Sequence, residues 1–469
     1  MNRLFILLCI LSSTAAVAQY KYTRGILPAT ASTGSSMDVR IADLDKNGTP
    51  DIILAKEFNR NRILLGNGKG AFADATLTSF RNVFRDSEDI TLADLDGNGW
   101  TDVVFASEDD ATHEMYLNNG DGTFTDVSTR LPKCIANAVV AWDADGDGDT
   151  DLYFGCEGQD RILINNGAAL FTDETNARLP VEDRVTQDVL LIDIDRDGDM
   201  DVACGNENGN ALYVNNGSGV FTDVSAERLP KLDVEIETRK IVKADLNGDG
   251  YDDMFLCNMA SKQGRDIRDR LFMNDGKGFF TDATEQRLPY EFLHTFDAVF
   301  EDLNGDGAVD LFVAYLPNEI PGVYINKGNG SFHEDSSSVY LPGSATGNVI
   351  SVAMADLNGD GKKDIYLGAV QQEDKIFFAG DGVTSVADSG IPTVRAYISG
   401  TELHVSVSSP EQAKPTEAVV VDILGRRLGA FEVQGGRATY TMKGIPAGVY
   451  YLTLYSGGTL QTIPLLLTN

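Results

Sequence analysis

The sequence is poor in the side chains on which much enzymatic chemistry depends. Its 469 residues include five cysteines and only four histidines: His113, His294, His333 and His404. No Ser-His-Asp or Cys-His arrangement is apparent among them. Long apolar runs are also missing, since the run at residues 4–11 is too short to cross a membrane. These absences argue against triad-type catalysis and against a membrane-spanning chain.

Positive charge is scarce as well. The chain has 38 Lys and Arg against 71 Asp and Glu, which gives a formal net charge of −33. Such acidity argues against nucleic acid or an anionic lipid surface as a partner. It also raises the question of what keeps so many carboxylates together.

The carboxylates are concentrated in a nine-residue motif that occurs seven times, at intervals of 49 to 57 residues. Asp or Asn occupies positions 1, 3 and 5, Asp occupies position 9, and Gly occupies position 6, where the backbone must turn sharply. Hard oxygen donors without His or Cys favour Ca²⁺ over zinc or copper, and Mg²⁺ tolerates an all-protein cage poorly. Position 7 varies freely, as expected for a backbone carbonyl ligand. The predicted ligands are Asp43, Asp45, Asn47, Thr49 and Asp51; Asp94, Asp96, Asn98, Trp100 and Asp102; Asp143, Asp145, Asp147, Asp149 and Asp151; Asp193, Asp195, Asp197, Asp199 and Asp201; Asp245, Asn247, Asp249, Tyr251 and Asp253; Asp302, Asn304, Asp306, Ala308 and Asp310; and Asp356, Asn358, Asp360, Lys362 and Asp364.

The motifs, numbered loops 1 to 7 in chain order, differ from EF-hands. An EF-hand needs a glutamate at position 12, whereas this chain has residues such as Leu54, Phe105 and Val313 there. Alternating or apolar β-favouring stretches flank each loop, so the loops are predicted to join strands. The alternative is a turn rich in Asp, Asn and Gly that binds nothing, but seven copies with Asp at position 9 argue against it. Up to seven Ca²⁺ ions would bring the formal charge to −19.

The first six loops are each followed by a hairpin signal of Asn and Gly, which the seventh lacks, and most repeats then reach a Leu-Pro pair, as at residues 118–132. Four antiparallel strands in about 50 residues are typical of a β-propeller blade. We interpret the Asn-Gly runs as turn chemistry rather than as ligands. Residues 20–28 resemble the end of a repeat, so we expect them to supply the outer strand of the last blade and close the ring.

The combination of Asp-x-Asp-x-Asn-Gly-x-x-Asp with Asn-x-Gly-x-Gly-x-Phe resembles the FG-GAP or VCBS-type repeats of integrin α-like β-propellers. This resemblance implies an all-β chain with a seven-bladed propeller at residues 19–393. It also implies that the calcium loops lie at one face and stiffen the scaffold, while ligands bind elsewhere, often at the opposite face.

The two ends of the chain predict export. Residues 1–18 have the pattern of a signal peptide, with a cleavage site before Gln19. Residues 394–469 show short alternating strands typical of a small Ig-like β-sandwich, and residues 420–426 and 445–451 resemble a type IX secretion sorting domain. The resemblance implies recognition by that machinery and location outside, or on the outer membrane of, a Bacteroidota-type bacterium. The alternative is a carbohydrate-binding or other accessory module.

Four cysteines remain in the mature chain, and we expect Cys134, Cys156, Cys204 and Cys257 to be free core thiols rather than disulfides. A set of aspartates five residues before a loop forms either an acidic rim of the central channel or hydrogen bonds between blades: Asp38, Asp89, Asp188 and Asp297. The basic connection at residues 258–269 is a candidate contact loop.

These features predict a monomeric binding protein for an extracellular glycan or protein, with no catalytic residues assigned. The alternative is a polysaccharide lyase or hydrolase on the same scaffold.

Overall fold

The computed structural model describes residues 21–467 except 30–33, 82, 109–111, 263, 290–292, 336–339, 343–344, 381–392, 400–401, 409–415, 423–425, 434–436, 444, 447 and 457–458. The predicted signal peptide therefore lies outside the described residues. No helix in the described part of the chain is long and apolar enough to span a bilayer.

Antiparallel units of four strands account for the repeats, one unit for each loop, and the units of loops 3 and 4 are joined into one sheet by the pairs Glu157↔Val185 and Gly158↔Arg184. The strands are β1 (Lys21–Arg24); β2 (Ser35–Ala42), β3 (Asp51–Glu57), β4 (Arg62–Gly66) and β5 (Phe72–Asp74); β6 (Ser87–Ala93), β7 (Asp102–Ser107), β8 (Glu114–Asn118) and β9 (Phe124–Asp126); β10 (Ala136–Trp142), β11 (Asp151–Gly158), β12 (Arg161–Asn165) and β13 (Phe171–Asp173); β14 (Arg184–Ile192), β15 (Asp201–Asn206), β16 (Ala211–Asn215) and β17 (Phe221–Asp223); β18 (Glu237–Ala244), β19 (Asp253–Met259), β20 (Arg270–Asn274) and β21 (Phe280–Asp282); β22 (His294–Glu301), β23 (Asp310–Leu316), β24 (Gly322–Asn326) and β25 (Phe332–Asp335); and β26 (Val349–Ala355), β27 (Asp364–Ala369) and β28 (Lys375–Gly380). Single helical turns follow the fourth strands: α1 (Thr76–Ser79), α2 (Thr175–Arg178), α3 (Ser225–Arg228), α4 (Thr284–Arg287) and a 3₁₀ turn at Ser128–Arg130.

Every loop joins the first two strands of its sheet, as predicted. The second strands are apolar and almost wholly buried, as in β7 and β15, because neighbouring sheets pack against both of their faces. One core cluster, for example, combines Tyr153 and Ile162 with Val202 and Cys204 of the next sheet. This arrangement is consistent with a β-propeller.

A β-bulge near the start of each first strand leaves one extra residue without a cross-strand partner. The seven extra residues are Met37, Glu88, Asn137, Gln187, Arg239, Phe296 and Ile350. The alternation of the strand changes sides at this point, which the sequence alone did not reveal.

The two ends of the repeat array are joined as predicted, because β1 pairs with β28 from Lys21↔Gly380 to Arg24↔Phe377. Tyr22 is buried there and donates to the Lys363 carbonyl over 3.0 Å. A second link is fully buried: Lys56 Nζ of β3 lies 3.0 Å from Asp374 Oδ2, which also accepts from Tyr366. Chain closure therefore has both a backbone and a side-chain component.

The Lys56–Asp374 link belongs to a repeated contact between neighbouring sheets. In this contact, an Asp or Asn side chain lies between the second and third strands of one sheet and accepts a hydrogen bond from a backbone N–H of that second strand. The same side chain also hydrogen-bonds to a Ser or Thr hydroxyl at the start of the first strand of a neighbouring sheet. The pairs are Asn61 with Ser87, Asp160 with Thr186, Asn210 with Thr238, Asp269 with Thr295 and Asp374 with Ser36. His113 takes this place in the second sheet, where its Nδ1 accepts from Ser107 N over 3.1 Å.

The cysteine prediction is right for two residues and wrong for two. Cys204 and Cys257 are free and buried, but Cys134 and Cys156 form a disulfide with a Cα–Cα distance of 6.2 Å. The connection that carries Cys134 pairs with β11 through the bond from Glu157 N to Ile135 O. This tertiary pairing brings the two cysteines together and is not visible in the sequence.

The C-terminal strands form two antiparallel sheets of their own. They are β29 (Thr393–Ser399), β30 (Glu402–Ser408), β31 (Thr416–Asp422), β32 (Arg427–Val433), β33 (Arg437–Thr441), β34 (Gly448–Ser456) and β35 (Thr459–Leu467), in the orders β29-β30-β33 and β32-β31-β34-β35. Leu403 and Val405 of one sheet share a core cluster with Ala418, Val420 and Leu452 of the other.

Candidate metal centres

Each loop is organised around its first aspartate. In loop 1 the Asp43 carboxylate accepts from Asn47 N over 3.0 Å and from Gly48 N over 2.8 Å. The bond from the position-6 glycine recurs in every loop. These glycines have φ between 83° and 96°, the left-handed region in which a side chain is costly. The invariant glycine therefore has the predicted structural cause.

The aspartate at position 9 is buried and has a function that the sequence analysis missed. Asp51 Oδ2 accepts from Leu44 N over 2.9 Å, and its Oδ1 accepts from Gly66 N over 2.8 Å. The same pair of bonds recurs in the other loops. This carboxylate thus ties the loop to the adjacent hairpin strand, in addition to any role as a ligand.

Burial raises the pKa of these position-9 carboxylates. The pKa reaches about 6 for Asp51, Asp102, Asp151, Asp253 and Asp364 and about 7 for Asp201 and Asp310. Hydrogen bonds from the backbone oppose the shift, and the other loop carboxylates add to it. A nearby cation would favour the ionised form.

Carboxylate oxygens converge most closely in the first four loops. One oxygen from each of three aspartates lies within 4.8 Å of the others in Asp43–Asp45–Asp51 and in the equivalent sets of loops 2 and 3, and in Asp193–Asp195–Asp197 of loop 4. Within these loops, three buried oxygens have no hydrogen-bond donor among the described residues: Oδ1 of Asp145, of Asp193 and of Asp195. Unsatisfied buried carboxylate oxygens in an all-oxygen cage fit a Ca²⁺ ion.

The side chains at position 7 contact a neighbouring loop in two of the repeats. In loops 2 and 5 they are aromatic and stack on a basic side chain from the preceding loop: Lys46 Nζ lies 4.4 Å from the Trp100 ring centroid, and the Arg196 guanidinium 4.5 Å from that of Tyr251. Lys46 and Arg196 hold position 4 with φ of 52° and 59°, where the other five loops have glycine. Cation–π contacts thus bridge these loops.

Two arginines of the Arg-Leu-Pro segments contact position 3 of a loop. Arg178 lies 3.0 Å from Asp145 Oδ2, and Arg228 lies 3.4 Å from Asp195 Oδ2. Arg178 also donates to the Ser218 carbonyl of the next hairpin. One oxygen of each aspartate is therefore held by arginine while the other, Oδ1, remains available.

The first Asn of the hairpin signal also links sheets. Asn118 donates to the Leu44 carbonyl of loop 1 over 2.9 Å, and Asn165, Asn215, Asn274 and Asn326 repeat this bond. The first hairpin has Gly66 at this position. The Asn-Gly runs combine turn chemistry with contacts between sheets.

The aspartates before the loops fit both predicted arrangements, because they line a common central cavity and also hydrogen-bond a neighbouring sheet. Asp38, Asp89, Asp188 and Asp297 accept from Ile90 N, Val139 N, Ile241 N and Val352 N over 2.7–3.1 Å.

In the connection at residues 258–269, Lys262, Arg265 and Arg268 pair with Glu207, Glu237 and Glu285 of the same chain.

Comparison with known proteins agrees with the repeat pattern. The FG-GAP-like repeat profile matches residues 43–105, 94–142, 143–204, 193–256, 245–313 and 302–367. Cartilage acidic protein 1 of Xenopus tropicalis is 26% identical over 123 residues, which are 25% of this chain and 19% of that protein. The match thus spans about a fifth of this curated relative.

Among solved structures, an Agrocybe aegerita lectin that recognises non-reducing terminal N-acetylglucosamine aligns with a TM-score of 0.43 and 18% identity, over 72% of this chain and 87% of the lectin. The extracellular domain of a putative hybrid two-component system from B. thetaiotaomicron aligns with a TM-score of 0.47 and 12% identity, over 94% of this chain and 52% of that chain.

Proposed function

The chain belongs to the FG-GAP-like repeat family, and from that membership we propose that it is an exported, calcium-stabilised, seven-bladed propeller that binds an extracellular glycan or protein. The Ca²⁺ ions stiffen the ring, and the binding surface lies elsewhere on it. In this proposal the C-terminal strands form an Ig-like sandwich that type IX secretion machinery recognises.

The observation that carries the calcium assignment is the set of orphaned oxygens in loops 3 and 4. Asp145, Asp193 and Asp195 each have a buried oxygen without a donor in the described part of the chain, in loops where carboxylate oxygens approach within 4.8 Å. A cation supplies the missing partner and offsets the repulsion between like charges. The predicted ligands at positions 1, 3, 5 and 9, with the carbonyl at position 7, would hold it.

Binding is favoured over catalysis because the described histidine contacts serve the fold. His113 is 1% exposed and accepts a backbone hydrogen bond, and His294 Nδ1 lies 3.4 Å from Ala260 N. The Cys134–Cys156 disulfide supports an oxidising compartment, as export through the predicted signal peptide requires.

The function is tested with the mature protein in 1 mM CaCl₂ on a glycan array and on a panel of extracellular proteins, beside an assay for reducing ends released from polysaccharides. We expect saturable binding to at least one immobilised partner and no turnover. Turnover without saturable binding would replace this proposal with a polysaccharide-degrading activity.

A further inference from the structure

The extra residues of the first-strand bulges surround a cavity on the axis of the ring. The cavity has a volume of about 60 Å³, and all seven bulge residues line it, beside buried aspartates such as Asp89 and Asp188. Each bulge residue precedes its loop by six positions, so the cavity lies roughly 20 Å along the strands from the calcium loops. The two kinds of site are therefore separate.

The hydrogen-bond donors that line this axial cavity are already occupied. Lys240 Nζ lies 2.9 Å from Asp188 Oδ1. Arg239 donates to Glu237 over 2.8 Å and to Gln187 Oε1 over 2.5 Å. A ligand that needs donors from the protein would have to break these ion pairs.

Two acceptors in the axial cavity have no hydrogen-bond donor among the residues that the structure describes. The Glu88 carboxylate has no hydrogen bond or ion pair among the described residues. Asn137 is only 6% exposed, and its Nδ2 donates to the Thr186 carbonyl over 3.2 Å. Its Oδ1 has no donor within the described ranges, although it belongs to a residue that lines the cavity. Because both acceptors belong to residues that line the cavity, the cavity favours a ligand that donates hydrogen bonds.

The charge around Glu88 points to a positively charged donor. Oxygens of Asp86, Glu88 and Glu108 lie within 4.8 Å of one another. Burial and then the Glu108 and Asp86 carboxylates raise the pKa of Glu88 well above its ordinary value, although the Arg239 guanidinium opposes part of this shift. Glu57 adds to this effect. A cation bound beside Glu88 would relieve this repulsion.

The shape of the axial cavity limits the size of the cation. A volume of about 60 Å³ holds a few water molecules, which suits the head of one side chain and is small for a whole sugar residue. Met37, Phe296 and Ile350 provide apolar surface on other sides of the axis, against which an aliphatic stem packs.

We propose that the axial cavity receives the ammonium or guanidinium group of a basic side chain from a protein partner, with Glu88 and Asn137 as the acceptors. This inference rests on the proposed binding function and narrows it to a protein that inserts one lysine or arginine into the end of the ring remote from the calcium loops.

The test is an NMR titration in 150 mM NaCl and 1 mM CaCl₂ with a blocked peptide that carries one lysine among glycines and serines. The same peptide with norleucine is the ligand control. Glu88→Gln is expected to weaken lysine-peptide binding tenfold or more, because a charge-assisted hydrogen bond is lost. Glu227→Gln removes an equal charge from the exposed turn α3 and should change the affinity less than twofold.

Glu108 is the exposed member of the cluster of Asp86, Glu88 and Glu108. Glu108→Gln provides a second variant and should also weaken binding of the lysine peptide. Equal affinity of wild type, Glu88→Gln and Glu108→Gln, or equal binding of lysine and norleucine peptides, overturns the inference. Stronger binding of spermidine or glucosamine than of the peptide also overturns it, in favour of a small amine. If a partner from the array or protein panel binds wild type and Glu88→Gln equally, the proposed function stands and the axial site fails.

Discussion

At the scale of single residues, the loop aspartates differ in their hydrogen bonds. The position-9 carboxylates accept one backbone hydrogen bond on each oxygen, as in Asp51, whereas Asp145 and Asp195 each have a buried oxygen with no donor among the described residues. Sequence spacing predicted the set of oxygens and the position-6 glycine. It did not reveal the backbone hydrogen bonds to position 9, because one of the two donors lies in the third strand of the sheet.

Removal of a metal-facing carboxylate should affect one site only. Asp195→Ala is expected to lower the calcium content by one ion per chain and to destabilise the protein by about 1–3 kcal/mol, since it removes a ligand and the partner of Arg228. Asp121→Asn, in an exposed hairpin turn, is the matched control and should leave the calcium content unchanged. Equal calcium loss in both variants would contradict the assignment.

His113 should make the protein acid-sensitive. Burial lowers its pKa to about 4, so the unfolded chain binds the proton more tightly, and stability falls as the pH drops from about 6.5 towards 4. The loss is on the order of 2 kcal/mol at pH 5. His113→Asn keeps an acceptor for Ser107 N, as Asn61 does for Lys56 N, and should flatten the dependence of Tm on pH between 7 and 5. An unchanged slope would show that His113 is not responsible.

At the scale of strands and loops, the repeat could be predicted because the strands of each unit follow one another along the chain, apart from the closing strand β1. The flanking strands, the hairpins and the closing strand β1 all follow from alternation and turn residues. Three features depend on contacts with other segments of the chain, so the spacing of residues in the sequence did not reveal them. They are the β-bulges, the hydrogen bonds from Asn118 and its equivalents to a neighbouring sheet, and the Cys134–Cys156 disulfide. The closing strand was predictable because residues 20–28 repeat the end of a unit.

The closing strand should contribute measurably to stability. Tyr22→Ala removes a buried ring and its bond to the Lys363 carbonyl and is expected to cost about 3 kcal/mol. Thr23→Ala changes an exposed neighbour on the same strand and should cost less than about 0.5 kcal/mol. Urea unfolding of both variants measures the difference. Equal midpoints would mean that β1 does not hold the ring closed.

At the scale of the whole molecule, stability and charge are coupled. The chain has a formal charge of −33, and many of its carboxylates lie in the seven loops. Each loop joins two paired strands, so its carboxylates cannot move apart without breaking the sheet. Ions that bind only the folded state add their binding free energy to folding. In the proposed function, calcium is therefore part of the structure, and the proposed axial site lies at the other end of the strands.

The most direct test is the calcium content of the purified mature protein after dialysis against 1 mM CaCl₂, measured together with Tm before and after chelation. We expect several bound ions, up to seven per chain, and a fall in Tm of roughly 10 °C or more when they are removed. A protein that holds no calcium under these conditions and melts at the same temperature with and without chelator would contradict this expectation.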